Sequence, residues 1–158
     1  MENNYAFIDS QNLNLSVRDQ GWNLDWRKFR TYLKHKHKVS KAFLFMGFLA
    51  TNQQLYTSLQ NDGYILVFKP TMFLPSGKPK GNVDAELVLH AVLEIPNYDK
   101  AIIVSGDGDY YCLIEHLNKI NKLGRIVIPN RHAYSKLLRK FATRMNFVTD
   151  LKHKLEYV

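Results

Sequence analysis

Short runs of apolar residues alternate along this chain with longer segments in which apolar residues recur every three or four positions. The short runs predict buried strands at 5–8, 42–46, 64–68, 101–104 and 125–128, with a further short strand at 147–148. The periodic segments predict helices at 26–38, 51–61, 83–95, 110–122 and 135–145. Continuously apolar strands separated by helices indicate a mostly parallel central sheet between two helical layers, an α/β/α sandwich.

The segment between the third strand and the following helix is predicted to be a loop. Residues 70–82 contain three of the five prolines in the chain. No repeat, low-complexity tract or Gly/Ser-rich linker interrupts the 158 residues. The length fits one domain of ordinary size, so we predict a single domain over residues 1–158.

Positive charge is concentrated in two stretches of the chain. The sequence has 22 Lys and Arg against 14 Asp and Glu, a net charge of +8. Residues 26–61 contain no acidic side chain, and a second basic stretch runs through 122–154. Two basic stretches on one small domain are typical of a nucleic-acid-binding protein. The candidate RNA contacts are Lys34, Lys78, Lys80, Arg131, Lys136 and Arg139.

Several classes of protein are excluded by what the chain lacks. One cysteine permits no internal disulfide and no cysteine-rich zinc site, and it fits a reducing compartment. No apolar stretch is long enough to span a membrane, and the first residues do not resemble a secretory signal. We therefore expect a cytoplasmic protein that makes no membrane contact.

Acidic side chains follow the predicted strands. Asp9 ends the first strand, Asp107 and Asp109 follow the fourth, and Asp84 lies at the start of the helix after the proline-rich loop. Each acid alone has an ordinary explanation as a helix cap or turn residue. Parallel strands end at one edge of their sheet, where ligands bind in such folds, so we expect these four carboxylates to converge.

A cluster of carboxylates favours a hard divalent cation, because the like charges otherwise repel one another. Carboxylate oxygens suit Mg²⁺ or Mn²⁺, and such ions support phosphodiester hydrolysis. Asn12 and Ser105 are small polar residues predicted at the same edge, where they would orient the acids or the phosphate. Glu86 and His90 are further candidates on the helix that begins near Asp84.

Two common phosphate-binding motifs are absent. The glycines of the segment 106–108 are not followed by the third glycine of a dinucleotide-binding loop, because Tyr111 occupies that position. The chain also has no Walker A lysine motif. A nucleotide cofactor is therefore not expected.

Three segments together resemble the NYN domain, a PIN-like nuclease group that includes bacterial LabA-like proteins. The segments are FIDSQNL at 7–13, KGNVD at 80–84 and VSGDGDY at 104–110. The resemblance covers nearly the whole chain and implies a PIN-like fold with the strand order 3-2-1-4-5. It also implies RNA cleavage with one or two Mg²⁺ or Mn²⁺ ions at Asp9, Asp84, Asp107 and Asp109.

The chain departs from the family pattern at two positions where acids are common. Histidine stands at position 90, and Thr143 lies where the final helix often has an acid. These departures favour an alternative function, a non-catalytic RNA-binding or regulatory module that keeps the fold.

The proline-rich loop has two competing interpretations. Phe73, Lys78 and Lys80 would clamp a single RNA strand by base stacking and phosphate contacts. Alternatively, Met72, Phe73 and Leu74 would form a homodimer contact. Elsewhere, Trp22 and Trp26 are predicted to be core or helix-entry residues rather than surfaces for base stacking.

Overall fold

The computed structural model of the protein describes residues 2–70, 72–73, 75–77, 79–80 and 82–158. The side chains at 72–73 and 79–80 lie outside this description. The strands are β1 (Asn4–Asp9), β2 (Val39–Phe48), β3 (Tyr64–Pro70), β4 (Met72–Phe73), β5 (Pro79–Lys80), β6 (Ala101–Val104), β7 (Leu123–Ile128) and β8 (Met145–Phe147). The α-helices are α1 (Ser10–Arg18), α2 (Trp26–His37), α3 (Gln53–Asn61), α4 (Asp84–Leu93), α5 (Tyr111–Lys119) and α6 (Lys152–Leu155).

Six strands form one parallel sheet in the order β3-β2-β1-β6-β7-β8. Numbered within this sheet alone, the order is 3-2-1-4-5-6. The predicted fold class and the 3-2-1-4-5 order are therefore confirmed, and the short last strand adds a sixth member at the edge. From β1 the chain adds β2 and β3 on one side of the sheet, and it then returns to add β6, β7 and β8 on the other.

Alternating side chains of the central strands fill two separate cores. Phe7 and Ile103 lie in the core shared with α4 and α5, whereas Ile8 and Val104 lie in the core shared with α1 and α2. This period of two in continuously apolar strands is what a sheet covered on both faces requires. The three layers of the predicted sandwich follow from it.

Helix α1 was not predicted from the sequence. Its only fully buried side chains are Leu13 and Val17, and the apolar Leu15 between them is exposed. Such a thin apolar stripe gives a weak helical signal. The helix is defined instead by its cap, because the Asp9 carboxylate accepts a hydrogen bond from the Asn12 N–H at 3.2 Å.

Two other segments differ from the sequence prediction. The expected α-helix at 135–145 is wrong, because residues Lys136–Arg144 form 3₁₀ turns with non-helical backbone angles at Phe141. The expected loop at 70–82 is also not entirely irregular, since β4 and β5 pair as an antiparallel hairpin.

Within the part of the chain that the structure describes, no helix has the length and apolar character of a membrane span.

Candidate metal centre

The candidate site lies between β1 and β6, where the order in which the chain adds strands to the sheet reverses. β1 pairs with β2 on one side and with β6 on the other, and the register aligns Ile8 with Val104. The residues that follow these two positions, Asp9 and Ser105, are therefore neighbours. Open parallel sheets bind ligands in the crevice outside such a reversal, at the carboxyl ends of the strands.

Three carboxylates meet in this crevice. Asp9 ends β1, Asp84 begins α4 and Asp107 follows β6, and one oxygen of each lies within 4.8 Å of one oxygen of the others. Asp9 is 6% exposed, whereas the other two are partly exposed. The three acids therefore come from three separate elements of the fold, and the group is buried at Asp9 and partly open to solvent at the other two.

The hydroxyl of Tyr110 joins two of these acids from beneath. Its oxygen lies 3.0 Å from Asp9 Oδ2 and 2.8 Å from Asp84 Oδ1, and the Tyr110 side chain is fully buried. A phenol has one proton, so it donates to one carboxylate at a time. The second contact is favourable when that carboxyl is protonated and donates to the phenol oxygen.

Burial and mutual repulsion favour such protonation. Burial raises the pKa of Asp84 to about 6, and the Tyr110 hydrogen bond only partly opposes this effect, while Asp109, Asp107 and Asp9 add to it. Burial also raises the pKa of Asp9, against the lowering effect of hydrogen bonds from Asn12 and Tyr110. The group therefore holds negative charge at an energetic cost to the fold.

Replacing Asp84 with Asn should stabilise the protein in EDTA at pH 7. The Asp84 pKa is higher in the folded than in the unfolded chain. The contribution of this carboxyl to the free energy of unfolding is therefore fully present below pH 3.8 and is lost as pH rises through about 6. For a carboxyl fully shielded from solvent, a shift of this size would lower the free energy of unfolding by roughly 3 kcal/mol. Solvent screening reduces the expected gain for the variant to about 1 kcal/mol. Urea unfolding at pH 7 and pH 4 measures the difference.

The control for this prediction is Asp19→Asn, the same change at an exposed position just after the other end of α1. The control should leave the free energy of unfolding unchanged within about 0.5 kcal/mol at both pH values. A loss of stability in Asp84→Asn at pH 7 would show that the carboxylate stabilises the fold, contrary to this account.

The loop after β6 is fixed by one hydrogen bond to α1 and by two within the loop itself. Asn12 Oδ1 accepts a hydrogen bond from the Gly106 N–H at 3.0 Å, and Ser105 Oγ accepts one from the Asp107 N–H at 3.1 Å. Asp107 in turn accepts one from the Asp109 N–H at 2.9 Å. Asn12 and Ser105 thus hold the backbone that carries Asp107, and the amide nitrogen of Asn12 has no hydrogen-bond partner among the described residues.

Glycine at position 108 is required by a close approach. A Cβ at this position would lie 2.3 Å from Ser135 Oγ and 2.9 Å from Ser135 Cβ. Ser135 is held against the loop because its N–H donates to the Gly106 carbonyl at 3.0 Å. The segment after β7 therefore packs directly on the loop that presents Asp107.

Among the described residues, the other predicted acids and His90 are not part of the group of three carboxylates. Asp109 is exposed and interacts with the side chain of Asp84 at the rim. Glu86 pairs with Lys69 at 3.6 Å. The His90 ring packs against three phenylalanines, the nearest being Phe43 at 4.7 Å between ring centroids.

The predicted basic contacts are distributed over the surface. Lys136 and Arg139 are exposed on the segment that packs on the acidic loop. Arg131 pairs with Asp150 and covers the ring of Phe147 at 3.9 Å. Lys34 is exposed in the last turn of α2, which leads into the start of β2 and so toward the opposite edge of the sheet.

Part of the predicted substrate clamp lies outside the described residues. Leu74 and Lys78 are not described, and neither are the side chains of Met72, Phe73 and Lys80. The clamp and the alternative homodimer contact both stay predictions. The hairpin β4–β5 does lie between β3 and α4 in the chain, immediately before Asn82 and Asp84. There Asn82 Oδ1 accepts a hydrogen bond from the Asp84 N–H at 2.8 Å.

The three carboxylates fit a hard divalent cation. All ligand atoms on offer are carboxylate oxygens, which suit Mg²⁺ and Mn²⁺ and do not favour soft metals. Burial first, and then the neighbouring acids, raise the pKa of Asp84, so its negative charge is costly, and a cation would offset that cost. Asp9, Asp84 and Asp107 are the residues that would hold it.

A parallel sheet with carboxylates at its reversal point is the arrangement expected of a PIN-like nuclease, and comparison with known proteins identifies the family. The NYN domain family model matches residues 5–149. The chain therefore belongs to the NYN domain family, whose members are generally nucleases.

Two relatives show how far this likeness extends. The "Low amplitude and bright protein LabA" of Synechococcus elongatus is 23% identical over 160 residues, which cover 95% of this chain and 86% of that protein. The crystal structure of VPA0982, a protein of unknown function from Vibrio parahaemolyticus, has a TM-score of 0.78 and 25% sequence identity. That match covers 98% of this chain and 96% of the other.

Proposed function

We propose that this protein is a ribonuclease that depends on Mg²⁺ or Mn²⁺ and cleaves single-stranded RNA. The observation that supports it best is the meeting of Asp9, Asp84 and Asp107 within 4.8 Å at the reversal point of the sheet. Membership of a nuclease family gives this cluster its chemical context. The net charge of +8 gives the remaining surface an attraction for a polyanion.

Divalent ions at such a site supply an activated water and neutralise charge that develops on the phosphodiester. The protein's part is to hold the acids in place. Tyr110 fixes the orientation of Asp9 and Asp84, while Asn12 and Ser105 fix the loop of Asp107. Asp109, at the rim beside Asp84, is an additional ligand in this proposal. Hydrolysis in this family's manner would leave a 5′-phosphate and a 3′-hydroxyl.

Basic side chains near the acids would hold the RNA backbone. Lys136 follows Ser135, whose side chain contacts Gly108 of the acidic loop. Arg139 lies one turn further along the same exposed segment. The free amide nitrogen of Asn12 is placed to donate to a phosphate oxygen in the same crevice. Lys34 on α2 and Arg131, which pairs with Asp150, would contact other nucleotides of the same strand.

A second candidate function is an RNA-binding or regulatory module without catalysis. The observation that favours it is the position of His90. Its ring lies among phenylalanines where the family commonly has an acid, so the described group contains three carboxylates only. This candidate predicts RNA binding that survives the loss of an acid.

Cleavage of an end-labelled single-stranded RNA by the purified protein tests the two candidates. The ribonuclease proposal expects products in Mn²⁺ or Mg²⁺ and none in EDTA, with 5′-phosphate ends. Contamination is excluded by a parallel preparation of Asp9→Asn. Intact RNA in every metal, together with salt-sensitive RNA binding, would overturn the proposal in favour of the binding module.

A further inference from the structure

A second, largely apolar groove adjoins the acidic crevice. It has a volume of about 330 Å³ and lies between the start of α1, the end of β2 and α3. Its apolar wall includes Trp26, Phe45, Met46 and Leu55. Trp26 is partly buried, lines the groove, and also packs with Tyr64 in a T-shaped arrangement with ring centroids 6.0 Å apart.

The groove and the crevice share part of their walls. Gln11 and Val83 line both. Gln11 lies two residues after Asp9, and Val83 immediately precedes Asp84. The groove is therefore adjacent to the acids, within reach of the nucleotide next to a phosphate group held there.

Three polar side chains of α1 border the groove and lack partners. Ser10, Gln11 and Asn14 line it, and none has a side-chain hydrogen bond within the described residues. They lie in the first two turns of the helix, on the side next to the buried Leu13 and Val17. Amide groups with free donors and acceptors beside an apolar wall can pair with a flat heterocycle that also stacks on the wall.

We propose that this groove binds the base of the nucleotide next to the phosphodiester held at the acids. The proposal rests on the ribonuclease function and deepens it, since it names a subsite for base selection. Apolar and aromatic walls stack a base, and the amides of Gln11 and Asn14 read its edge. The occupant is a nucleobase rather than an aliphatic chain because the groove adjoins the crevice proposed to hold the phosphodiester and has amides along one side.

Binding of fluorescent single-stranded oligo(A), oligo(C) and oligo(U) in Ca²⁺, a hard cation that carboxylates bind, tests the subsite, with the bound RNA checked to be intact. Wild-type protein should prefer one base by about tenfold, the size of a good amide-to-base contact. Asn14→Ala and Gln11→Ala should reduce this preference to about twofold or less. The matched control is Asn118→Ala, the same change on an exposed helix position of α5.

Melting temperatures with Mn²⁺ serve as the second readout. Asn14→Ala should keep the Mn²⁺-induced shift of the wild type, because it leaves the acids unchanged. Equal binding of all three oligomers by the wild type, or an unchanged preference in both variants, would overturn the subsite. Base preference that is lost in the variants, without RNA cleavage in any metal, would support the subsite while overturning the ribonuclease function.

Discussion

Replacing Asp107 with Asn should lower the rate of metal-dependent RNA cleavage by about 100-fold or more. The substitution removes one of three charges that would hold the cation. It should leave the loop intact, because the side chain keeps the Oδ1 atom that accepts the Asp109 N–H. Single-turnover cleavage of labelled RNA at saturating protein measures the effect on the chemical step.

Asp19→Asn is the matched control for this rate as well. Asp19 is exposed and follows the end of α1 remote from Asp9, so its loss changes net charge equally without touching the crevice. It should cleave at the wild-type rate. Equal, small losses in both variants would show that general electrostatic attraction matters and that the three acids do not act as a site.

Replacing Gly108 with Ala should cost about 1–3 kcal/mol of stability and roughly tenfold in activity. The added Cβ would approach Ser135 Oγ to 2.3 Å and Leu137 Cδ1 to 3.3 Å. The Gly106–Ser135 backbone hydrogen bond resists separation of the two segments. The loop of Asp107 would move instead, and urea unfolding together with the cleavage rate would report that movement.

A compensating change identifies the cause. Ser135→Gly removes both atoms nearest to the new Cβ. Gly108→Ala should therefore lower stability and activity less in the Ser135→Gly background than in the wild type. Additive losses in the double variant would show that the clash with Ser135 is not the reason for this glycine.

The convergence of the acids could be predicted because it depends on a rule of topology. Asp9 and Asp107 follow apolar strands, and parallel strands end on one side of a sheet. The cap interpretation holds for these two positions, since each carboxylate accepts a backbone N–H, and it is compatible with their place in the acidic cluster, whose role as a site stays a prediction. The Tyr110 hydroxyl was missed, because its position in the chain indicates a packed ring and not where the hydroxyl points.

Other features of the site have no signal in a single sequence. The free amides of Gln11 and Asn14 are recognisable only when every neighbour is known, and α1 itself lacks a broad apolar stripe. The contact between Ser135 and Gly108 joins segments 27 residues apart through a 3₁₀ region that the sequence pattern predicts as an α-helix. Local pattern thus predicts the sheet and its acids, whereas long-range packing determines the rest.

In the proposed function, Asp9, Asp84 and Asp107 together hold a divalent cation. Anomalous scattering from crystals of the protein loaded with Mn²⁺ locates that cation. We predict an anomalous peak in contact with carboxylate oxygens of all three residues. A peak bound elsewhere, or no peak at these acids in a preparation that cleaves RNA in Mn²⁺, would contradict it.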